Sequence, residues 1–416
     1  MFRALETDNF PPFGRLQTTF PPVPDKPADL AEVHLLTGVN GTGKTRMLCL
    51  MATMLGNFEP LQKRITGQPS FTIRIATDLN RDPDKLPWPA MMSVTPTSTH
   101  WTRQEPGMKW TDTIPAFAYS GAAYVTDMPV TAMATLNPQK RQDYLSFTKP
   151  ATQSTYLLQG ITNLKLQAAM DSLSQGPNTT RSRATRLVTA LESTISEITG
   201  ISFRFHVTTY PNISLQVQLG DTNLLFNLLP DGLRSIIGWL VHAVVMMDVV
   251  LQGQGDPMTT PAIFLVDEIE SLLHPAWQRR ILPAFQKLFP KSQIILATHS
   301  PFLIASLNHG WIHPFTLLKD GTARVEKTVA ASEGDSYLTV LEDIMGLKEL
   351  YDPETEGLLA NFREQRDAAF HGDEAARHKA RELADLIGKR SIELEYMMGR
   401  ELNQMDRQLH KAAPSA

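Results

Sequence analysis

Gly38-Val39-Asn40-Gly41-Thr42-Gly43-Lys44-Thr45 is the stretch on which the fold turns. It has the spacing Gly-x-x-x-x-Gly-Lys-Thr and stands between a short apolar run, Val33 to Leu36, and a helical run, Arg46 to Leu55. Strand, glycine-rich turn and helix form the context a phosphate-binding loop requires. Glycines let the backbone curl so that amide groups and the helix N-terminus face an anion. Asn40, Gly41, Thr42 and Gly43 are then expected to cradle phosphates, Lys44 to neutralise them and Thr45 to offer a hydroxyl to Mg²⁺. At an average glycine usage of about 7%, a coincidental match in a chain this long arises on the order of one time in a hundred. The loop therefore points to a nucleotide site in an α/β protein.

Two carboxylates answer that loop. Ile263-Phe264-Leu265-Val266 runs directly into Asp267-Glu268, which sets both at the C-terminal end of a buried strand, where α/β sheets collect ligands. Asp267 is the expected Mg²⁺ ligand and Glu268 the group that polarises an attacking water, because phosphoryl transfer depends on positioning and charge stabilisation. An apolar run ending in Asp-Glu is common by itself, and the downstream residues set this one apart. A second apolar run, Gln293 to Ala297, ends in Thr298-His299-Ser300-Pro301. That places His299 beside the Asp267/Glu268 strand end, in reach of a γ-phosphate or the water. His309 and His313 lack such context and read as loop histidines in hydrogen-bonded turns. A third element, Leu229-Pro230-Asp231-Gly232-Leu233-Arg234-Ser235, precedes the apolar run Ile236 to Leu251. A glycine turn that opens a helix aims free N–H groups outward, so Asp231 and Gly232 are expected to face a phosphate.

The rest of the chain sets bounds. Of 416 residues 42% are apolar and 20% charged, with a formal net charge of -4, which suits a globular protein and gives no global basic signature for nucleic acid. The one cysteine, Cys49, cannot form an internal disulfide, and Met1 to Pro22 lacks a signal-peptide pattern. A cytoplasmic location is expected. Ile236 to Leu251 is too short to span a bilayer, which takes roughly 20 apolar residues, so it reads as a buried helix. Pro11, Pro12, Pro21, Pro22, Pro24 and Pro27 predict extended and turn structure before the first strand. Phe71 to about Val130, with Phe71 to Ile75 and Ala116 to Tyr119, predicts an antiparallel β subdomain. Leu157 to Leu173 and Arg181 to Ile198 predict helices, and Ser202 to His206 and Ile213 to Leu219 a hairpin. Glu374 to Gly388 and Ser391 to Leu409 predict helices in a charged tail. The expected organisation is an ATPase-type domain over 1–330, with a helical insertion at about 151–200, and a helical region over 331–416.

Together these elements resemble the ABC-type ATPases of the RecF/SMC/OLD group. The loop has that group's Gly-x-Asn-Gly-x-Gly-Lys-Thr form, and Asp267-Glu268-Ile269-Glu270-Ser271-Leu272-Leu273-His274-Pro275 looks like its Asp-Glu-x-Glu-x-x-Leu-His-Pro stretch. Within the group, His274 to Pro283 and Thr298 to Pro301 look most like the prokaryotic AAA-type branch that includes the ATPase subunits of Septu and retron antiphage systems. The resemblance covers about Val33 to Leu55 and Leu229 to Ser306. It implies a P-loop fold, ATP and Mg²⁺, and a dimer in which the segment Leu229 to Ser235 reaches the partner's ATP. Pro230 departs from the family's serine there and removes a hydroxyl, which leaves Asp231, Gly232 and the helix start to meet the γ-phosphate. The glutamine loop is open between Gln153, Gln159 and the strand end Tyr119-Ser120-Gly121, and Phe20 is the candidate for stacking adenine.

The tail after Ser306 is too short and too charged for the nuclease domain of full-length OLD proteins, and no Cys/His cluster or His-Asn-His arrangement marks other chemistry. Its helices read as a solvated pair or as a docking arm. The resemblance implies ATP hydrolysis that drives or gates a homodimer or larger homo-oligomer, as the sensor or scaffold subunit of an antiphage system acting with a separately encoded nuclease or toxin, with no membrane partner. The alternative is a RecF- or SMC-like DNA repair or chromosome-maintenance ATPase, which would bind nucleic acid.

Overall fold

The computed structural model describes residues 1–64, 71–77, 90–95, 98–103, 114–121, 126–147, 150–174, 182–331, 334, 336–347 and 349–412. Two compact units divide after Val340. The first begins with strands β1 (Phe2–Phe10), β2 (Gly14–Thr19) and β3 (Glu32–Gly38), helices α1 (Lys44–Met54) and α2 (Glu59–Gln62), and strands β4 (Phe71–Thr77), β5 (Ala90–Thr95), β6 (Ser98–Arg103) and β7 (Ala116–Ser120). Helices α3 (Arg141–Tyr144), α4 (Pro150–Ser174) and α5 (Arg183–Thr199) come next, then strands β8 (Phe203–Thr208), β9 (Ser214–Leu219) and β10 (Thr222–Leu224). Helix α6 (Asp231–Ile236) continues through a π-helical turn into α7 (His242–Leu251). The unit closes with β11 (Ile263–Asp267), α8 (Pro275–Leu288), β12 (Gln293–Thr298), α9 (Pro301–Ile304), β13 (Trp311–Leu317), β14 (Ala323–Val325), β15 (Val329–Ala330) and the turn α10 (Tyr337–Thr339).

Five parallel strands in the order β13-β3-β12-β11-β7 make the central sheet, with β14 and β15 antiparallel on β13. Every residue of β11 and β12 is buried, the pattern of parallel strands covered on both faces. A second, antiparallel sheet runs β2-β1-β4-β5-β6. Helix α1 is held in the core that both sheets share: Met47, Leu50 and Met51 belong to one buried cluster with Leu5, Phe10, Ile73, Leu265 and Ile295. At about 1.5–3 kcal/mol for each large apolar side chain, that packing fixes the helix after the P-loop. Below the P-loop, β3 is tied to its neighbours by a buried polar chain. Arg3 donates to Glu32 Oε1 at 2.6 Å, His34 Nε2 lies 3.0 Å from the same oxygen, and His34 Nδ1 lies 3.0 Å from His313 Nε2.

The α/β architecture, the antiparallel subdomain and the helical pair α4 and α5 agree with the sequence reading, and several local expectations are corrected. The proline-rich start is a hairpin: Pro11 and Pro12 occupy its turn while Phe2, Leu5 and Phe10 are buried in the strands on one side of it. Ala116 to Tyr119 is a parallel strand beside β11 rather than part of the antiparallel sheet, because both its faces are covered. The loops expected between Phe71 and Val130 lie largely outside the described residues. His313 is a buried strand residue, not a loop histidine. The helix read from Ile236 starts at Asp231. By length and composition Asp231–Leu251 could cross a membrane, yet 78% of its most apolar 18-residue window is buried inside the protein, so it serves as a core helix here.

The second unit, Leu341–Ala416, contains α11 (Pro353–Phe370), α12 (Glu374–Gly388) and α13 (Ile392–Ala412) around Leu359, Phe362, Leu383, Ile387, Leu394, Met398 and Met405. Asp352 and Asp373 cap α11 and α12 by accepting backbone N–H bonds in the first turn. The sequence reading places α11 only within a general helical region, without bounds of its own, because its apolar residues are interleaved with charges.

Candidate active site

Strand order decides the site. Strand β12 lies between β3 and β11, pairing Thr298 with Thr37 and Ala297 with Asp267, while β7 pairs Ser120 with Asp267. The P-loop, His299, Asp267, Glu268 and Ser120 therefore leave the sheet at one edge, outside the carboxyl ends of parallel strands. They open on a cleft of about 610 Å³. Of the residues expected from sequence, Asn40, Gly41, Gly43, Lys44, Thr45, Asp267, Glu268 and His299 line it.

The loop backbone has the conformation the motif demands. Gly41 and Gly43 have φ of 85° and 90°, and a Cβ on Gly43 would lie 2.5 Å from the Phe13 ring of the β1–β2 turn. Gly38, at φ 140°, passes so close to the Phe315 carbonyl that a Cβ would sit 2.1 Å from its oxygen. Lys44 Nζ donates to the carbonyls of Gly38 at 2.8 Å and Val39 at 3.0 Å. Thr42 is turned inward, its hydroxyl donating to the Val39 carbonyl, so its side chain braces the loop and only its backbone can face a phosphate.

Thr45 Oγ1 donates to Asp267 Oδ1 at 2.9 Å, which joins the P-loop hydroxyl and the strand-end carboxylate as one hard-oxygen donor pair. Mg²⁺ takes such oxygens together with substrate phosphates, so these residues fit the ion. Burial pulls the Lys44 ammonium down to about 8 against the pull of Asp267, Glu268 and Glu270, and burial pushes the Asp267 carboxyl up despite the Thr45 bond. Opposite charges left this poorly solvated mark a site shaped for a charged ligand. Glu268 is exposed and has φ 52°, a left-handed backbone at a non-glycine residue of the kind that collects at functional sites. Gly121 allows the kink, since a Cβ there would be 1.9 Å from the Glu268 carbonyl oxygen. Burial, then the Lys44 charge, lowers the His299 imidazole below its ordinary value, so it is neutral at pH 7.

Other residues escaped the sequence reading. Glu270 accepts from Thr298 Oγ1 and from the His299 N–H, each at 2.7 Å. Arg46, Arg64 and Ser120 line the cleft. Arg46 stands next to Thr45, and Glu270 is the second glutamate of the Asp-Glu-x-Glu stretch that carries the resemblance, but neither was given a role from sequence. Ser120 belongs to the strand end that the sequence left open as a glutamine-loop position, whereas Gln159 is engaged with the backbone of Thr131, and the Gln153 side chain lies outside the described part. Phe20 cannot stack on a base from where it sits: it is buried against His34 and His313.

Asp231 and Gly232 are not brought to this cleft. Pro230 precedes α6 with an extended backbone and gives it no side-chain cap. Asp231 is paired with Arg234 in the first turn, and Gly232 lies against the loop after Glu268, where a Cβ would be 2.7 Å from the Leu272 carbonyl oxygen.

Residues 140–305, which include three of these strand-end and helix-opening elements, match the family described as "AAA domain, putative AbiEii toxin, Type IV TA system". Over this span the chain is similar to AAA-type ATPase domains. The matched span holds Asp231, Asp267, Glu268 and His299, while the P-loop lies before it and rests on its own motif and contacts. The domain is similar to the Septu protein PtuA of Bacillus thuringiensis, 24% identical over 172 residues, 40% of this chain and 43% of that protein. It is similar to the retron Ec83 probable ATPase of Escherichia coli, 30% identical over 89 residues, 21% of this chain and 16% of that protein. The chain thus aligns with less than half the length of either relative. Among solved structures, an SMC head bound to the C-winged helix domain of ScpA aligns over 79% of this chain and 97% of its own, at 12% identity and TM-score 0.47.

Proposed function

We propose that this ATPase domain binds ATP with Mg²⁺ in the P-loop cleft and hydrolyses it within a dimer, acting as the ATP-gated sensor or scaffold of an antiphage system with a separate effector. The observation that carries the hydrolytic part is the Thr45–Asp267 contact of 2.9 Å with Glu268 next in sequence and His299 on the intervening strand. In this reading, the P-loop amides and Lys44 bind the β- and γ-phosphates, and Thr45 and Asp267 hold the ion. Mg²⁺, when bound, neutralises charge on the phosphate oxygens. Glu268 accepts a hydrogen bond from the attacking water and orients it, and the neutral His299 reaches the γ-phosphate or that water.

Dimerisation is supported by what the single chain lacks. Asp231 is exposed at a helix opening away from its own cleft, with Gly232 buried behind it against the Leu272 loop, and Leu228 is 67% exposed two residues before Pro230. A second copy would bring that opening to the first copy's phosphates. With no serine hydroxyl at Pro230, closure on ATP is favoured over rapid turnover. The antiphage assignment is supported by likeness to proteins named for Septu and retron systems.

The experiment is the Glu268→Gln variant with ATP and Mg²⁺, read by light scattering after size exclusion. A stable ATP-dependent dimer is expected, and a protein that stays monomeric sinks the composite site. Co-purification from the native operon tests the effector, which fails if the chain emerges alone. Turnover stimulated by DNA in place of an effector would assign the domain to chromosome maintenance instead.

A further inference from the structure

The residues around His299 form a closed hydrogen-bonded circuit. Glu270 Oε1 takes both the Thr298 hydroxyl and the His299 amide, each at 2.7 Å. The Ser300 amide donates to Thr298 Oγ1 at 2.9 Å, and the Ser300 hydroxyl donates to Gln278 Oε1 at 2.6 Å. Gln278 Nε2 then returns to the loop after Glu268, donating to the Leu273 carbonyl at 2.9 Å and, more weakly, to that of Glu270 at 3.4 Å. Residues 298, 299 and 300 are all held from one side by residues of the 268–278 segment, and the imidazole, which also meets the Gly38 backbone, lines the cleft. The same loop carries Leu272, exposed and at φ 67°, whose carbonyl closes on Gly232.

Resting on the ATPase reading above, we propose that Glu270 is a positioning residue: it aims His299 at the nucleotide and, through Ser300 and Gln278, ties that aim to the loop that touches the α6 opening. Acceptor geometry at Oε1 is what the brace requires, since both donors converge on one oxygen. Glutamine can supply that acceptor and alanine cannot. A misplacement of about 1 Å can cost on the order of a hundredfold in rate while ground-state binding survives, so the signature is a split between kcat and ATP affinity.

The test uses the full chain. For Glu270→Ala, kcat is expected to fall roughly ten- to a hundredfold with the ATP dissociation constant within about twofold, and Glu270→Gln is expected to restore most of kcat. Because Glu270 acts through His299, the double variant Glu270→Ala/His299→Ala is expected to be no slower than His299→Ala. Multiplying losses in the double variant, or an unchanged kcat in Glu270→Ala, overturn the proposal. Should Glu270→Ala fold poorly, Thr298→Val removes, at nearly constant volume, both the hydroxyl donor to Glu270 and the acceptor of the Ser300 amide, and is expected to lower kcat about threefold; wild-type kcat overturns the proposal equally. The His299 imidazole resonances of the nucleotide-free protein give a readout independent of turnover. They are expected to shift in Glu270→Ala and hold in Glu270→Gln, and resonances unmoved by alanine overturn the positioning role. If the wild-type chain hydrolyses no ATP, the ATPase reading fails while the imidazole spectra still decide whether Glu270 sets His299.

Discussion

Two helices in this molecule carry a glycine at their N-terminal turn, and only one opening is furnished. Before α1, Gly43 is left-handed, Lys44 and Thr45 occupy the first turn, and Asp267 meets the Thr45 hydroxyl from across the sheet. Before α6, Pro230 supplies no N–H and no side-chain cap, and Asp231 is paired with its own Arg234. Free N–H groups at a helix start attract an anion, but a charged ligand is held only where counter-charges and a shaped cleft converge. The α1 opening has these within one chain. In the proposed dimer the α6 opening supplies half a site, and the other half belongs to a second copy.

Four experiments press on that contrast, from the largest expected effect downward. Glu268→Gln removes the group proposed to orient water at the furnished site, and steady-state turnover should drop roughly 10²–10³-fold while ATP is retained; turnover near wild type would place the water elsewhere. The foundation of that site comes next. Burial alone would raise the Glu32 carboxyl, but hydrogen bonds from His34 and Arg3 outweigh it and bring the group down to about 2. A folded value below the ordinary 4.5 adds stability that is present above about pH 4.5 and lost as pH falls towards 2, up to about 3 kcal/mol. Denaturant titrations of Glu32→Gln across that window should therefore show a flatter acid branch than wild type, and parallel curves would remove the network from the foundation of β3.

The remaining two compare the openings directly. Gly43→Ala forces an unfavourable φ and a Phe13 contact, a strain of about 1–3 kcal/mol, so ATP affinity measured by calorimetry should weaken roughly thirtyfold. Gly232→Ala meets the Leu272 carbonyl and displaces the α6 opening slightly. It should leave ATP affinity of the monomer within about twofold and weaken ATP-dependent dimerisation about tenfold, a cost near 1.4 kcal/mol. A Gly232→Ala protein that loses ATP binding in the monomer would make the second opening part of its own cleft and dissolve the contrast.

Much of the candidate site was legible in the sequence because its parts are local. Lys44 and Thr45 come directly after Gly43 by covalent spacing, and Asp267 and Glu268 end an apolar run, so chemistry and position are read together. Glu270 was not legible: it stands two residues beyond Glu268, and nothing in the sequence says that its carboxylate bends back to the amide of His299, 29 positions later. Phe20 shows the opposite error. An aromatic residue near the start of the chain suits a base by type, yet apolar surface is buried wherever the sheet offers a partner, and His34 and His313 cover this one. In the fold, α4, α5, α12 and α13 obeyed their helical periodicity. The β1–β2 hairpin did not show itself, since prolines crowd its turn and β1 also pairs with β4, far along the chain.

By itself the sequence determined the phosphate loop, the strand-end carboxylates, the histidine after the next strand and the α/β class, because spacing along the chain fixes each motif's local backbone. Only the tertiary structure decided that β12 enters between β3 and β11, so that His299 stands between the P-loop and Asp267, and that Asp231 and Gly232 stay away from their own chain's cleft. Strand order and the facing of a helix end depend on which distant surfaces bury one another best, and that is a property of the whole packed core rather than of any one segment.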